Sequence, residues 1–127
     1  MLPFSIEIKA GQPIADQILF AVKKAVVTGQ LRPGDKFPSV RQLSQELRVN
    51  PNTAHKVVAA LVAEGVLVTT PAVGSIVAAP AAGNKFQKAE LLGADLERLV
   101  VEARKLGLAL DDVQAGLAEQ WRKLGGK

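Results

Sequence analysis

The residues of this chain that are best suited to binding chemistry lie in residues 32–61, where cations, side-chain amides and hydroxyls recur at helical spacing. Residues 32–56 carry five basic and two acidic side chains, a net charge of +3, whereas residues 80–127 carry eight basic and seven acidic ones. Clustered cations attract polyanions, so this asymmetry favours a polyanionic partner for the first part of the chain. A basic surface without such a partner would have the same composition, and that alternative stays open.

Two short helices are expected to hold these residues. Ser39 is placed to cap the first helix, and Gln42 is placed to reach back to that cap. Asn50 is a good N-cap for the second helix, and Pro51 suits its first position because proline has no N–H to leave unpaired. The pattern therefore predicts a tight turn between two helices.

The second predicted helix has one apolar stripe and one polar face. The stripe is formed by Ala54, Val57, Val58 and Leu61. Asn52 and Lys56 point the opposite way, with Thr53 and His55 on the flanks. This arrangement fits a helix-turn-helix whose second helix enters the DNA major groove, and an ordinary helical hairpin with a solvated outer face is the alternative.

The other elements complete a winged helix-turn-helix in an N-terminal domain of residues 1–79. Residues 4–8 alternate apolar and polar, which predicts a short edge strand, and a helix is expected from Pro13 to Gly29. After Gly65, two β-branched runs at residues 66–70 and 75–78 predict a hairpin, or wing. The predicted fold is mostly α with a small β wing.

Residues 80–127 are predicted to form an α-helical hairpin, with one helix from an Asn84 cap to about Leu106 and a second from about Leu110 to Leu124. Each helix carries an apolar stripe. The stripes consist of Leu92, Leu96, Leu99, Val100, Ala103 and Leu106 on the first helix, and Leu110, Val113, Leu117 and Trp121 on the second. Two such helices are too small to bury these stripes alone, so we expect them to make a homodimer. Folding back onto the first domain of the same chain is the alternative.

Composition excludes several classes of protein. The 127 residues are 48% hydrophobic, include no cysteine and include one histidine, which leaves no disulfide framework and no thiolate zinc site. There is no apolar run of about 18 residues and no leader sequence, so we expect a cytoplasmic protein without membrane contact. No Gly-rich phosphate loop precedes a helix, and one histidine would have to serve every serine, so we expect no enzymatic activity, cofactor or metal.

Six spaced motifs follow one another along residues 13–77. They are Pro13-Ile14-x-x-Gln17-Ile18, Gly29-x-Leu31-x-Pro33-Gly34-Asp35, Pro38-Ser39-Val40-Arg41-x-Leu43, Val49-Asn50-Pro51-Asn52-Thr53, Leu61-x-x-Glu64-Gly65 and Gly74-x-x-Val77. In this combination the chain resembles the GntR family of bacterial transcription regulators. The Asn-Pro-Asn-Thr motif, together with the short two-helix C-terminal segment, looks most like the YtrA subfamily. The resemblance implies a dimeric repressor, of a kind often encoded beside ABC-type transporters.

The resemblance also implies which residues meet DNA. The implied set is Arg32, Ser39, Arg41, Asn50, Asn52, Thr53, His55, Lys56 and Gly74. Arg41 would contact a base or the backbone in the groove, and an arginine is a suitable bidentate reader of guanine. Asn50, Asn52 and Thr53 would meet phosphates and base edges at a helix N-terminus, where free N–H groups also favour phosphate. Arg32 and Lys56 would clamp phosphates, which positions the protein without specifying sequence.

Two positions depart from the family pattern. His55 stands where members commonly carry arginine, so an imidazole replaces a permanently charged side chain, and an exposed residue without a role is the alternative there. The wing has Pro71, Ala72 and Val73 before Gly74, where a basic residue and a glycine are usual. An uncharged wing adds little electrostatic affinity, so operator binding would be weaker than in relatives or would depend on backbone contacts at Gly74.

The leading hypothesis is a dimeric, sequence-specific repressor that binds a palindromic operator through the helix starting at Pro51, with its two recognition helices about 34 Å apart. The alternative is a winged-helix module for protein interaction or architectural DNA binding without an operator, which the uncharged wing favours. A small-molecule effector, whose identity the sequence does not reveal, would bind between subunits or at the junction of residues 79–84. The C-terminal hairpin is too short to enclose a drug-sized pocket by itself.

Overall fold

The computed structural model describes residues 2–79 and 83–125. The chain forms two compact units, Met1–Pro80 and Ala81–Lys127. The N-terminal unit contains α1 (Ile14–Val27), α2 (Val40–Leu47), α3 (Pro51–Ala63), β1 (Leu67–Thr70) and β2 (Gly74–Val77). The C-terminal unit contains α4 (Lys85–Glu90), a π-helical turn (Leu91–Asp95), α5 (Leu96–Lys105) and α6 (Leu110–Lys123). The prediction of a mostly α fold with a small β wing is therefore confirmed.

The N-terminal unit is built around one apolar core. Helix α3 packs on both α1 and α2, because each of the three presents one apolar stripe inward. The largest fully buried side chains are Ile18, Val22, Leu31, Leu43, Val57, Leu61, Leu67 and Val77. With one face of α3 committed to this core, only its other face is left for binding.

Capping residues define where α2 and α3 begin. The Ser39 hydroxyl accepts a hydrogen bond from the Gln42 N–H at 3.1 Å, as the sequence predicts. The prediction that the Gln42 side chain reaches back to the cap is wrong. Its Nε2 donates instead to Glu46 Oε2, one turn further along α2, at 3.1 Å. The Asn50 side chain caps α3, with Pro51 in its first turn.

The wing is a two-stranded antiparallel sheet to which the link before α2 adds a further row of hydrogen bonds. β1 and β2 pair from Leu67 with Val77 to Thr70 with Gly74. Beside β2, the Gly34 N–H donates to the Val77 carbonyl at 2.8 Å, and the Phe37 N–H donates to the Ser75 carbonyl at 2.9 Å. The link predicted as a turn-rich connection therefore ties the wing to the start of α2.

The edge strand predicted at residues 4–8 is wrong, since those residues form no strand. The next residue, Lys9, is held by a side chain, because the Gln17 amide accepts from the Lys9 N–H at 2.7 Å and donates to the Lys9 carbonyl at 2.8 Å. Phe4 is buried and stacks on Phe37 with ring centroids 5.9 Å apart. This N-terminal segment is thus part of the core without belonging to a sheet.

The C-terminal unit follows the predicted helical hairpin with one interruption. Asn84 caps α4, accepting from the Gln87 N–H at 2.7 Å, and Gly107 ends α5 with φ near +77°. The chain stays helical from Lys85 to Lys105, as predicted, but residues Leu91–Asp95 of this helix form a π-helical turn. Asp112, in the first turn of α6, accepts from the Ala109 N–H at 2.8 Å, which occupies its carboxylate as a cap. Over the described residues, no helix combines the length and apolar character that crossing a membrane requires.

Candidate nucleic-acid interface

The first turn of α3 is the most exposed polar feature of the helix-turn-helix. Asn50, Asn52, His55 and Lys56 are exposed and Thr53 is half-buried, while Ala54 on the opposite face is fully buried. The amide of Asn52 makes no hydrogen bond within residues 2–79 and 83–125, so its donors and its acceptor are open to a partner. An amide of this kind can form two hydrogen bonds with one base edge.

The expectation that free N–H groups at this helix end would favour a phosphate is wrong. The Asn50 Oδ1 accepts from the Asn52 N–H at 2.8 Å, and the Asn50 carbonyl accepts from the Thr53 N–H at 2.9 Å. Pro51, between them, has no N–H to offer. Anion binding at this end of α3 therefore depends on side chains, among them the Nδ2 donors of Asn50.

Three cations of the helix-turn-helix segment have no ion-pair partner among the described residues. Arg41 on α2, Lys56 on α3 and Arg32 in the link before α2 are all exposed. In the part of the chain that the structure describes, no carboxylate pairs with any of these three side chains. Cations that no internal carboxylate neutralises are available to phosphate oxygens or base acceptors.

Local structure fixes where two of the predicted contacts stand. Arg32 lies in a turn closed by Asp35, whose carboxylate accepts from the Arg32 N–H at 2.8 Å. The Ser39 hydroxyl accepts from Gln42 as a cap, but its own proton is still free to be donated. Arg32 is therefore positioned through its backbone and Ser39 through its cap. The Arg32 guanidinium and the Ser39 hydroxyl donate no hydrogen bond to a protein group among the described residues.

The wing tip is pre-organised and uncharged. Gly74 has φ near +78°, which glycine adopts without strain, and the Thr70 hydroxyl donates to the Gly74 carbonyl at 3.0 Å across the turn. Val73 at the tip is 50% exposed, and residues 66–78 contain no charged side chain. Gly74 therefore offers only backbone atoms at this turn, and a contact of these atoms with DNA stays a prediction.

Sequence comparison identifies the family. Residues 14–77 match the family described as bacterial regulatory proteins, gntR family. The chain belongs to the GntR family. It is 30% identical over 115 residues to the HTH-type transcriptional repressor YtrA of Bacillus subtilis, covering 90% of this chain and 88% of that protein. It is also 33% identical over 104 residues to the regulator YhcF of the same organism, covering 82% and 83% respectively.

Solved structures agree with this assignment. The crystal structure of a transcriptional antiterminator from Listeria monocytogenes superposes with a TM-score of 0.85 at 27% identity, covering 98% of this chain and 93% of that one. The resemblance to a YtrA-like GntR protein is confirmed. The chain is therefore a DNA-binding transcription regulator with a GntR winged helix-turn-helix.

Sequence reasoning missed one residue of this GntR helix-turn-helix. Arg48, the residue after α2, has φ 55° and ψ 46°, a left-handed conformation. From the sequence, Arg48 contributes only a positive charge next to α3, because the residue types Leu-Arg-Val do not indicate a left-handed backbone. Glycine is the residue that would have signalled it.

Metal chemistry has no support within the described ranges, where no three His, Asp or Glu residues converge on a point that could hold an ion. Asp111 and Asp112, adjacent in sequence, lie in the first turn of α6, where acidic residues complement the helix dipole.

Proposed function

We propose that this chain is a dimeric repressor that binds a palindromic operator through the first turn of α3. One observation carries the proposal: α3 buries three of its four stripe residues completely, while its leading polar residues are exposed and the nearby cations in sequence, Arg32, Arg41 and Lys56, pair with no carboxylate among the described residues. A solvated helical hairpin would gain nothing from leaving these cations unpaired. YtrA of Bacillus subtilis is named a repressor, which supports the direction of regulation.

The proposal divides the site residues by chemistry. Arg41 and Asn52 carry the groups that can make two hydrogen bonds with one base, so they are the readers of sequence. Arg32 and Lys56 lie outside the first turn of α3, and their positive charges contact phosphates. Short side chains donate hydrogen bonds to the DNA backbone from Ser39, Asn50 and Thr53. His55 lies beside Lys56 on the exposed side of α3. Gly74 would contact DNA through its backbone at the wing tip.

Dimer formation is proposed from the apolar surface of the C-terminal unit. The stripe residue Ala103 is buried and Val113 is half-buried, but Leu92, Leu106 and Leu110 are each about 70% exposed and Trp121 is 60% exposed. Leu96, Leu99, Val100 and Leu117 are exposed as well. An apolar surface of this size is unfavourable in water. We therefore propose that the same surface of a second copy packs against it in a homodimer.

Two open grooves run along this unit within one subunit, with volumes of about 550 and 420 Å³. They flank the contact of Ala103 with α6, one beside Arg104 and the other beside Glu102. Neither encloses a ligand, so an effector would bind where a partner subunit closes a groove. The other expected effector position, the junction of residues 79–84, includes residues 80–82, which lie outside the described residues.

The experiment that tests the proposal is selection of bound sequences from a random duplex pool, followed by titration of the selected duplex at several salt concentrations. A palindrome with half-site centres about 34 Å apart, bound at roughly nanomolar concentration, is the expected result. Equal binding of random and selected duplex would instead support the architectural or protein-interaction module. Such a module would use the apolar wing tip rather than α3.

The remaining expectations follow from the family. Because the family consists of bacterial regulatory proteins, we expect that this chain has no catalytic activity. We also expect that it binds DNA in the cytoplasm.

A further inference from the structure

The turn between α2 and α3 contains a feature that the proposed function does not use. Arg48 has φ 55° and ψ 46°, and within residues 2–79 and 83–125 it is the one residue other than glycine with a positive φ. Its N–H donates to the Ser44 carbonyl, and the next N–H, that of Val49, donates to the same carbonyl at 3.1 Å. These two bonds hold the end of α2 and keep Arg48 in the left-handed region.

A left-handed backbone brings the Cβ of an L-residue too close to its own carbonyl oxygen, so glycine is the residue that fits this position without strain. Arginine bears that strain and also lacks the local hydrogen bond by which an asparagine side chain relieves it. The fold would therefore be more stable with glycine here.

Nothing inside the described structure compensates for the strain. The Arg48 side chain is exposed, and it makes no ion pair and no hydrogen bond in the part of the chain that the structure describes. Strained residues that persist without an internal benefit are a reason to look for an external one.

The external partner is indicated by position and charge. Arg48 stands two residues before Asn50, whose side chain caps the recognition helix, and it lies on a stretch that carries a net charge of +3. The left-handed turn sets the direction in which its Cα–Cβ bond leaves the backbone, and the two bonds to Ser44 hold that turn. A guanidinium that extends from this fixed backbone next to α3 matches a phosphodiester oxygen pair.

We propose that Arg48 binds a backbone phosphate of the operator, and that its strained turn is retained for this contact at the expense of stability. The proposal rests on the proposed function, because it requires α3 to lie in the major groove. It adds a phosphate contact that fixes the depth and register of α3 without reading a base.

The test compares three substitutions of Arg48 in the full chain. Arg48→Gly is expected to raise the midpoint of thermal unfolding and to weaken binding of the selected duplex about fivefold per half-site at 0.15 M salt. Because the dimer contains Arg48 twice, the negative slope of log K against log salt should become shallower by about 1.8. Arg48→Asn is expected to weaken binding equally, because it also lacks the charge. Arg48→Lys keeps the charge, so it should retain the salt slope and show no gain in thermal stability.

Two controls separate the causes. Lys88→Gln removes one exposed cation from α4 and is expected to leave the salt slope unchanged, which would exclude a general effect of net charge. Asn52→Ala reports on the proposed function itself. If Asn52→Ala weakens binding while Arg48→Gly binds as tightly as the original chain with the same salt slope, the Arg48 contact is refuted and the proposed function stands. If neither substitution changes binding, the proposed function fails as well.

Discussion

Shortening Val100 to alanine is expected to weaken association of two copies of this chain about tenfold. Val100 lies on the predicted apolar stripe of α5, and 42% of it is exposed in a single chain. If a second copy covers this stripe, that exposed part is what the partner removes from water. A neighbouring residue of the same type, Val101, is 58% exposed on the same helix but lies off the stripe.

The magnitude follows from the exposed fraction. Val→Ala removes two methyl-sized groups, and burial of each contributes about 0.8 kcal/mol, or about 1.6 kcal/mol for a fully covered side chain. The partner can add only the 42% that one chain leaves open, which is about 0.7 kcal/mol per subunit. A two-fold interface contains the residue twice, so about 1.4 kcal/mol is lost, equivalent to a tenfold higher Kd.

Sedimentation equilibrium over a range of protein concentrations measures this Kd directly. Val101→Ala is the matched control, because it makes the same chemical change and the same small gain in helix propensity on the same helix. We expect the Val101 variant to dimerise like the original chain. The Val100 variant should in addition require higher protein concentration to occupy a two-half-site duplex, while binding a single half-site as before.

The reasoning would be refuted if Val100→Ala left the Kd unchanged, or if Val101→Ala raised it equally. The first result would mean that the stripe is not the contact between copies. The second would mean that the interface covers a different face of α5. A chain that stays monomeric at every concentration would remove the dimer from the proposed function altogether.

Three further outcomes are expected. Asn50→Ala removes the cap bond of 2.8 Å to the Asn52 N–H and should cost about 1 kcal/mol of stability in urea unfolding, with weaker operator binding. Arg41→Ala should reduce discrimination between operator and mismatched duplexes by about 1–3 kcal/mol per half-site in competition binding. Arg32→Ala should weaken binding of both duplexes equally and reduce the magnitude of the salt slope by about two, because a dimer contains Arg32 twice. Val73→Lys adds a charge to the 50% exposed wing tip and should increase both operator affinity and the salt slope, and an unchanged slope would place the wing away from DNA.

The helices of the N-terminal unit could be predicted because their ends carry explicit signals. Ser39 and the Asn50-Pro51 pair begin α2 and α3, and Gly65, with φ near +78°, follows the end of α3. The wing followed from its two β-branched runs, although β2 begins one residue earlier than expected, at Gly74. These elements depend on interactions between residues close in sequence, which a pattern can show.

The predictions that were wrong concern features that a local sequence pattern does not show. Alternation at residues 4–8 suggested a strand, yet the structure uses it to bury Phe4 and to pack Ile6 against the core without any strand pairing. The backbone of the next residue, Lys9, pairs with the Gln17 amide. Only the tertiary structure brings that amide to Lys9. The π-helical turn at Leu91–Asp95 likewise has no signature in its residue types, so the apolar stripe of the C-terminal helix looked continuous.

The site was predictable in its residue types but not in its hydrogen bonding. The sequence pattern indicated that Asn50 and Asn52 would lead the recognition helix, and both are exposed there. It did not show that the cap would use up the first N–H groups, since Asn50 supplies both its side chain and its carbonyl to this turn. The left-handed conformation of Arg48 was equally invisible, because it results from how α2 ends against α3.

The N-terminal segment also has a practical meaning for anyone who isolates the DNA-binding part of this chain. The family match begins at Ile14, but Phe4 lies buried against Phe37, and Gln17 is bonded to Lys9. A fragment trimmed to the family boundaries would expose one face of Phe37 directly before the start of α2. The shortest fragment that keeps the DNA-binding domain intact therefore starts no later than Phe4.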